Sequence, residues 1–385
     1  GDHVLIKRND ELHSEGKLVL SLGPQKGTNF HSGSISHASI IGKRPREVVE
    51  TSKGRQYRLY EPTLDEYVRL TPRICTPIYP GDANCIVSLL DIHVAPPPPD
   101  GKDESPPFRI LEAGTGHGAL TLYLARAIHA ANPRPPPLPR PSESSSEPVD
   151  PNEHSNKMCA WKETRRAVID SVDNNTPRSQ HARRIVKGFR RGLYYSHINF
   201  HVAQLSTFLD QAVYGLSNFR PMYNHIILDL PSPDAHFAHA AQVLRTDGSL
   251  LVWVPSITQI IDAMRLVKEQ NLPLWLDRVV EMGQGLTAGR RWDARWTRIR
   301  RVDREREMAK SGTNEGGNGT DSEVGRGAEE DLNDSAVEQE PGSDATVEPA
   351  AEAKKDAEDK GLAVICRPKV GEMIVGGGFL GIWKK

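Results

Sequence analysis

The sequence predicts an α/β protein, a doubly wound and mostly parallel sheet preceded by a small β domain. Three observations carry this prediction. Short β-rich stretches fill residues 1–63, strand and helix patterns alternate after about Leu64, and a glycine loop at Gly114, Gly116 and Gly118 joins the strand FRILEA to a helix.

The elements follow in order. HVLIK, KLVLSL, ASIIGK and QYRLYEP are separated by Gly, Asn, Ser and Pro turns, as short strands of one β domain would be. DEYVRLTPR and ANCIVSLLDIHV then place apolar residues at helical spacing. After FRILEA the strand candidates are RAVIDSV, HINFHVA, NHIILDL, SLLVWV and the late pair AVICR and GGGFLGIWKK, with helices between most of them. The late pair reads as an antiparallel hairpin at one sheet edge. The expected organisation is a β domain over 1–63, a catalytic α/β domain over 64–304, an acidic insertion over 305–360, and closing strands over 361–385. Two polar stretches, about 132–160 and 305–360, lack the apolar residues to offset the entropy of ordering and read as flexible insertions.

Composition narrows the function. Of 385 residues, 37% are hydrophobic, 6% aromatic and 26% charged, which fits a folded enzyme diluted by polar insertions. The net charge of -1 conceals segregation: Lys43 to Arg46, Arg183 to Arg191 and Arg290 to Arg304 are basic, whereas about 320–359 is acidic. A basic surface for a nucleic acid therefore remains available. Cys75, Cys85, Cys159 and Cys366 form no C-x-x-C pair, so neither zinc nor a disulfide framework is expected, and they read as reduced thiols in an intracellular protein. No apolar run is long enough to span a bilayer, and no membrane partner is expected. The chain opens on Gly rather than Met, which leaves room for a removed leader.

The loop in ILEAGTGHGAL carries the chemistry. A G-x-G-x-G turn lets backbone approach a ligand closely, and dinucleotide folds use a near relative of it for pyrophosphate. Glu112 argues against pyrophosphate here, because an acid just ahead of the glycines repels it. S-adenosylmethionine, cationic and free of phosphate, is complementary to that acid. A second carboxylate at the end of the next strand would take the ribose hydroxyls; VIDSVDNN offers Asp173, with Asp170 as the alternative.

Four blocks, TPIYPGDA from Thr76, ILEAGTGHG from Ile110, ILDLPSP from Ile227 and PSITQIID from Pro255, occur in one order. In these the chain resembles the tRNA adenine N1-methyltransferases of the T-loop, particularly the single-subunit bacterial and mitochondrial type. The resemblance implies a Rossmann-like S-adenosylmethionine-dependent methyltransferase fold and methylation of N1 of adenosine 58 in tRNA. It implies that Glu112, Gly114, Gly116, His117, Gly118, Ala119 and Leu120 line the methionine end of the cofactor. Asp173 with Arg178 nearby would hold the ribose, Gln204 and Leu205 would flank the adenine, and Asp229 would stand beside both methyl group and target base. Tyr79 would contact that base. No metal is implied. The ITQ block resembles the homomeric enzymes, which implies a homotetramer in the mitochondrion; the alternatives are a heteromer with a related non-catalytic subunit and a nuclear location. The chain departs from the family's habits at Gly81 and Asp234, where Lys and Trp are frequent, at Gln204, often Asp, and at Asp173, a shorter acid than the usual Glu.

The chemistry this implies is positional. N1 of adenine is already a usable nucleophile, so Asp229 is expected to accept a hydrogen bond from the N6 amine and orient N1 for in-line transfer. A T-loop adenine must be extruded from the tRNA elbow, and phosphate contacts have to compensate for that. Lys43, Arg44 and Arg46 of the β domain and Arg291, Arg295 and Arg298 are the expected contacts. The competing readings are a catalytically silent tRNA-binding subunit and a protein methyltransferase of the same fold.

Overall fold

The computed structural model describes residues 3–9, 15–98, 105–137, 151–214, 221–283, 292–298, 362–368 and 377–385. The chain divides into two compact units, one of Gly1–Gly289 with Met373–Lys385 and one of Arg290–Glu372.

The first unit begins with six strands, β1 (Val4–Arg8), β2 (Lys17–Val19), β3 (Gly27–Phe30), β4 (Gly33–Ser36), β5 (Val48–Glu50) and β6 (Gln56–Tyr60). Four of them form an antiparallel sheet in the order β2-β1-β6-β5, and β3 pairs with β4. Alternation sends Ile6, Val19, Val49, Tyr57 and Leu59 into one small core with Ile35 and Ile40. Helix α1 (Leu64–Leu70) follows under a capping box: the Thr63 hydroxyl accepts from the Glu66 N–H while the Glu66 carboxylate accepts from the Thr63 N–H. Helix α2 (Pro80–Leu89) starts with Pro at its first position and Tyr79 as its N-cap residue.

The main sheet has seven strands in the order β12-β15-β11-β10-β7-β8-β9. These are β7 (Phe108–Ala113), β8 (Ala167–Asp173), β9 (Ile198–Val202), β10 (Tyr223–Leu228), β11 (Leu244–Val254), β12 (Trp275–Met282) and β15 (Gly378–Lys384). The run from β9 to β11 is parallel, with α3 (Ala119–Ile128), α4 (Pro151–Glu163), α5 (Thr176–Gly188), α6 (Leu205–Tyr214), α7 (Phe237–Val243) and α8 (Ile257–Glu269) between its strands or beyond them. Two apolar cores lie on the two faces: Ile110 and Ile169 belong to one, Leu111, Ala113 and Val172 to the other. This is the doubly wound α/β fold predicted from the sequence.

The structure differs from the sequence reading at two places. The segment about 132–160 is not all insertion: Asn132 is buried and its amide bonds the Ala167 carbonyl and the His197 ring, while helix α4 starts at Pro151. Mean polarity concealed a single anchor, Trp161, buried with its indole N–H on the Pro133 carbonyl at 3.2 Å. The late pair also separates. GGGFLGIWKK forms β15 and inserts antiparallel between β11 and β12, so the edge partner is WLDRVVEM, which the sequence reading did not mark as a strand. AVICR falls in the other unit, where β14 (Leu362–Pro368) pairs antiparallel with β13 (Trp292–Arg298). Both strands satisfy the apolar pattern of a sheet edge, and pairing between segments far apart in sequence is invisible to local pattern.

Candidate functional site at the carboxyl ends of the central strands

In an open parallel sheet the crevice forms where strand order reverses. Here the chain runs from β7 to β8 in one direction and returns to β10 on the other side of β7, so the crevice opens at the carboxyl ends of β7, β8 and β10. A cleft of about 390 Å³ lies there, within the roughly 300–1,000 Å³ of small-molecule sites. Its wall includes Gly114, Gly116, Asp173, Arg178, Gln204, Leu205 and Asp229.

Backbone pairing holds these ends together. The Gly114 N–H donates to the Val172 carbonyl at 2.9 Å, the Ala203 N–H to the Asp173 carbonyl at 3.1 Å, and the Asp229 N–H to the Ala113 carbonyl at 2.9 Å. Gly114 has φ +95°, and a Cβ on it would lie 1.9 Å from the Asp229 carbonyl oxygen. Only glycine lets the loop and the end of β10 approach this closely. At Gly118 a Cβ would press on Ala182 of α5 at 3.2 Å, so this glycine serves the packing of α3 on α5.

Strand parity separates Asp170 from Asp173. Three residues apart on β8, they begin on opposite faces. Asp170 turns away from the cleft, where Arg109 Nη2 (2.6 Å), Asn199 Nδ2 (2.9 Å) and Tyr223 Oη (3.1 Å) donate to it and His201 Nε2 lies at 3.1 Å. Asp173 is the acid in the cleft. Its Oδ2 accepts from the Gly116 N–H at 3.1 Å and its Oδ1 from the Asn175 N–H at 2.8 Å, with Arg178 Nε 3.4 Å away. A carboxylate has about four acceptor sites, so capacity remains for a diol.

Glu112 is buried beneath the loop rather than on the cleft wall, at 2% exposure. Its Oε2 accepts from the Thr121 hydroxyl at 2.6 Å and the Ser171 hydroxyl at 2.7 Å. Burial pushes its carboxyl up to about 7, against those two hydrogen bonds and with help from the charges of Asp229 and Asp173. It can therefore act on a ligand in the cleft only through its charge, and only while ionised. Asp229 does reach the cleft, with no side-chain partner among the described residues, and burial alone pushes its carboxyl up to about 6.

Other expected residues lie elsewhere. His117 points into the protein, with Nε2 3.2 Å from the Thr71 hydroxyl and its ring 5.5 Å from that of His181, and burial lowers its pKa to about 4. Ala119 and Leu120 sit in the core at 2% and 4% exposure, because α3 must bury this face against the sheet. These and Gly118 do not line the cleft. Tyr79 does not line it either; the Arg73 guanidinium lies 5.4 Å from its ring centroid. The sequence reading missed Cys75, Asn174, Ala203, Leu230, Pro231 and His236 on the wall. All but Cys75, Pro231 and His236 directly follow a strand or flank a residue that was singled out, so the strand-end rule would have found them. His236 ends a single 3-10 turn over Pro233–His236, and its buried Nδ1 has no partner among the described residues. Lys43 and Arg44 line a separate groove, and the Arg46 guanidinium lies 4.7 Å from the Tyr60 ring centroid. Arg291 lies outside the described residues, as do the side chains of Arg295 and Arg298 on β13. Among the described residues no helix is long and apolar enough to cross a membrane, and no group of three or more His, Cys, Asp or Glu side chains could hold a metal ion.

The donor set thus suits a ligand that is cationic, bears a diol and lacks phosphate: acids on the wall, an acid beneath the glycines, and one arginine paired to one of those acids. No family model matches the chain. It is 28% identical over 275 residues, 71% of this chain and 82% of the relative, to the tRNA (adenine(58)-N(1))-methyltransferase TrmI of Thermus thermophilus. Among solved structures it superposes on an S-adenosylmethionine-dependent O-methyltransferase of Thermotoga maritima with TM-score 0.54, 14% identity, and coverage of 100% of this chain and 93% of that one. It also superposes on the tRNA (m1A58) methyltransferase TrmI of Aquifex aeolicus with TM-score 0.52, 13% identity, and coverage of 100% and 97%. The chain thus has the fold of these methyltransferase structures and is similar in sequence, over 71% of its length, to a tRNA (adenine(58)-N(1))-methyltransferase.

Proposed function

We propose that the chain methylates N1 of adenosine 58 in the T-loop of tRNA with S-adenosylmethionine as donor. The observation that carries the reading is Asp229. It is an acceptor on the cleft wall with no side-chain donor among the described residues, at the strand end beside the glycine loop, in the ILDLPSP block that carries part of the resemblance.

When bound, S-adenosylmethionine supplies an electrophilic methyl group on a sulfonium. The chain's own residues bind and orient. Asp173 accepts from the ribose hydroxyls while the Gly116 and Asn175 N–H groups fix its rotamer. Gln204 and Leu205 give the adenine an amide edge and an apolar face. Glu112, when ionised, would lend negative potential from below the loop without touching the ligand. Asp229 would accept a hydrogen bond from the N6 amine of the target adenine, orienting N1, and would stabilise the positive charge that spreads onto N6. His236 offers an aromatic face on the wall in the segment where Asp234 replaces the family's frequent Trp. Tyr79, capping α2, is assigned to the approach of the base rather than to the cleft wall.

We further read the protein as a mitochondrial homotetramer. The ITQ block of α8 supports this, as do Ile257, Ile261 and Met264, exposed at 39%, 43% and 46% at helical spacing.

The test is methyl transfer from labelled S-adenosylmethionine to unmodified tRNA transcripts, with the product nucleoside identified by mass spectrometry. N1-methyladenosine at position 58, absent from a transcript lacking that adenosine, is the expected result. Measurable donor binding without transfer to any tRNA would overturn the reading.

A further inference from the structure

A larger groove of about 690 Å³ lies between the β domain and the end of α5, away from the cleft. Its wall carries Lys43, Arg44, Arg190 and Arg191 against the single acid Glu61, and its floor includes Ile41 and Tyr60. Helix α5 connects the two sites. Its first turn presents Arg178 to the cleft and its last residue, Gly188, lines the groove, ten positions further along, about 15 Å at 1.5 Å per residue.

The far end of α5 is held in an unusual way. Arg190 and Arg191 have φ +43° and +58°, and Gly192 follows at +80°. Consecutive non-glycine residues in the left-handed region are rare and persist only where their surroundings over-determine them. Those surroundings are present. Phe189 is buried and stacked on Tyr194 with centroids 5.7 Å apart, the Tyr67 hydroxyl donates to the Ile185 carbonyl at 2.8 Å, and Arg190 Nη2 reaches Glu61 at 3.6 Å. A Cβ on Gly188 would collide with the Tyr67 hydroxyl at 2.5 Å and His3 Nε2 at 2.8 Å. The arginines are thus carried on a rigid turn locked to the β domain, and the turn aims two adjacent guanidinium groups at the groove that faces Lys43 and Arg44.

We propose that this groove is a second RNA site, which grips the sugar-phosphate backbone of the tRNA substrate about one helix length from the adenosine being methylated. The inference rests on the proposed function and extends it. Four cations, of which Lys43 reaches Glu47 at 3.7 Å and Arg190 reaches Glu61 at 3.6 Å, leave the wall net positive and complementary to a polyanion, and guanidinium groups fork onto phosphate oxygens. A fixed turn means that little backbone ordering is needed on binding. The spacing adds selectivity, because a free nucleoside or small hydroxylated substrate cannot occupy cleft and groove together. Only a folded RNA with phosphates remote from the target base spans both, and energy from the remote contact can offset extrusion of that base.

The experiment uses the full chain and two substrates, full-length tRNA and a hairpin containing only the target arm. The Arg190→Gly, Arg191→Gly double variant removes both charges but keeps a backbone that accepts the left-handed turn. An Arg190→Lys, Arg191→Lys variant keeps charge and loses the fork. We expect the glycine variant to raise KM for full-length tRNA roughly tenfold or more. The slope of log affinity against log salt should fall by about 1.8 for two duplex phosphates, with the lysine variant intermediate. KM for the hairpin should stay within about twofold. Direct tRNA binding, read by fluorescence anisotropy, gives the same comparison without turnover. Equal losses on both substrates, or unchanged tRNA affinity and salt slope, would overturn the second site while leaving methylation intact. If the wild type binds tRNA and the variants bind less, yet no methyl is transferred, the groove stands and the proposed reaction falls.

Discussion

Asp170 and Asp229 flank the same strand, β7, one on each neighbouring strand or strand end, and their surroundings differ. Asp170, 2% exposed, takes hydrogen bonds from Arg109, Asn199 and Tyr223 and lies beside His201. Burial alone would raise its pKa, but the His201 bond, the Arg109 charge and the Asn199 bond outweigh it and hold the carboxyl well below the ordinary range. Asp229 has no such donors among the described residues, and burial carries it up to about 6. The difference teaches where the molecule keeps its function. A carboxylate whose donors come from the chain is part of the scaffold, and one whose donors are withheld is kept for a ligand that brings them.

The comparison breaks most visibly at the scaffold end. Asp170→Asn would leave the partly buried Arg109 guanidinium without its charge partner, and loss of one member of a buried pair costs about 3–5 kcal/mol. Urea denaturation should show that loss, while kcat per folded molecule stays near wild type. Asp229→Ala should do the reverse: kcat on tRNA lower by roughly 10²–10³-fold, as for loss of one positioned charge-stabilising group, with the melting temperature unchanged or higher. If Asp170→Asn abolishes turnover without destabilising, or Asp229→Ala unfolds the chain while turnover per folded molecule persists, the division of roles is wrong.

Asp173 sharpens the comparison, since it lies between the two cases. Two backbone N–H groups satisfy it in part and leave it capacity for a ligand. Asp173→Asn should weaken S-adenosylmethionine binding by calorimetry about 10- to 100-fold, the equivalent of one charge-assisted hydrogen bond, with a smaller effect on kcat. An equal loss in kcat at saturating donor would mean that Asp173 acts on the transferring group rather than on the ribose.

Most of this architecture is legible in the sequence because it follows from period and parity. Alternation places Glu112 and Ser171 on one face and Leu111 and Val172 on the other, and the strand-loop-helix context of Gly114 locates the crevice. Four features are not legible, each for a physical reason. The burial of Glu112 depends on the hydroxyls of Thr121 and Ser171, which occupy its carboxylate; no local pattern reveals that a motif residue is satisfied from below. The seating of β15 between β11 and β12 is a long-range pairing, decided by which edge remains open after the parallel strands assemble. His236 stands on a single 3-10 turn with no periodicity to announce it. The left-handed arginines at the end of α5 read in sequence only as a basic run, since their conformation is imposed by Phe189, Tyr67 and Glu61 from three separate segments.

The subtlest expected effect is on pH dependence, where stability and activity should move in opposite directions. Asp229 has a folded pKa raised from 3.8 to about 6, and Glu112 one raised from 4.5 to about 7. The folded state therefore keeps protons that the unfolded chain has already released, so this pair makes stability fall as pH rises between about 4 and 7 and recover on acidification. Asp170 has the opposite sign. Its folded pKa is depressed, so its contribution is fully present above the unfolded value of 3.8 and is lost only below it. Activity needs Asp229 ionised to accept the N6 hydrogen, so kcat/KM should decline about tenfold per unit below pH 6. A bound sulfonium would favour the carboxylate, so the decline in kcat should begin at lower pH than that in kcat/KM. Thermal melts and initial rates over the same buffers between pH 5 and 8 check both trends. In Asp229→Asn the remaining activity should lose its acid limb, and part of the pH dependence of the melting temperature should vanish with it. An acid limb that survives that substitution would assign the titration to another group, and the contrast with Asp170 would then rest on hydrogen bonding alone.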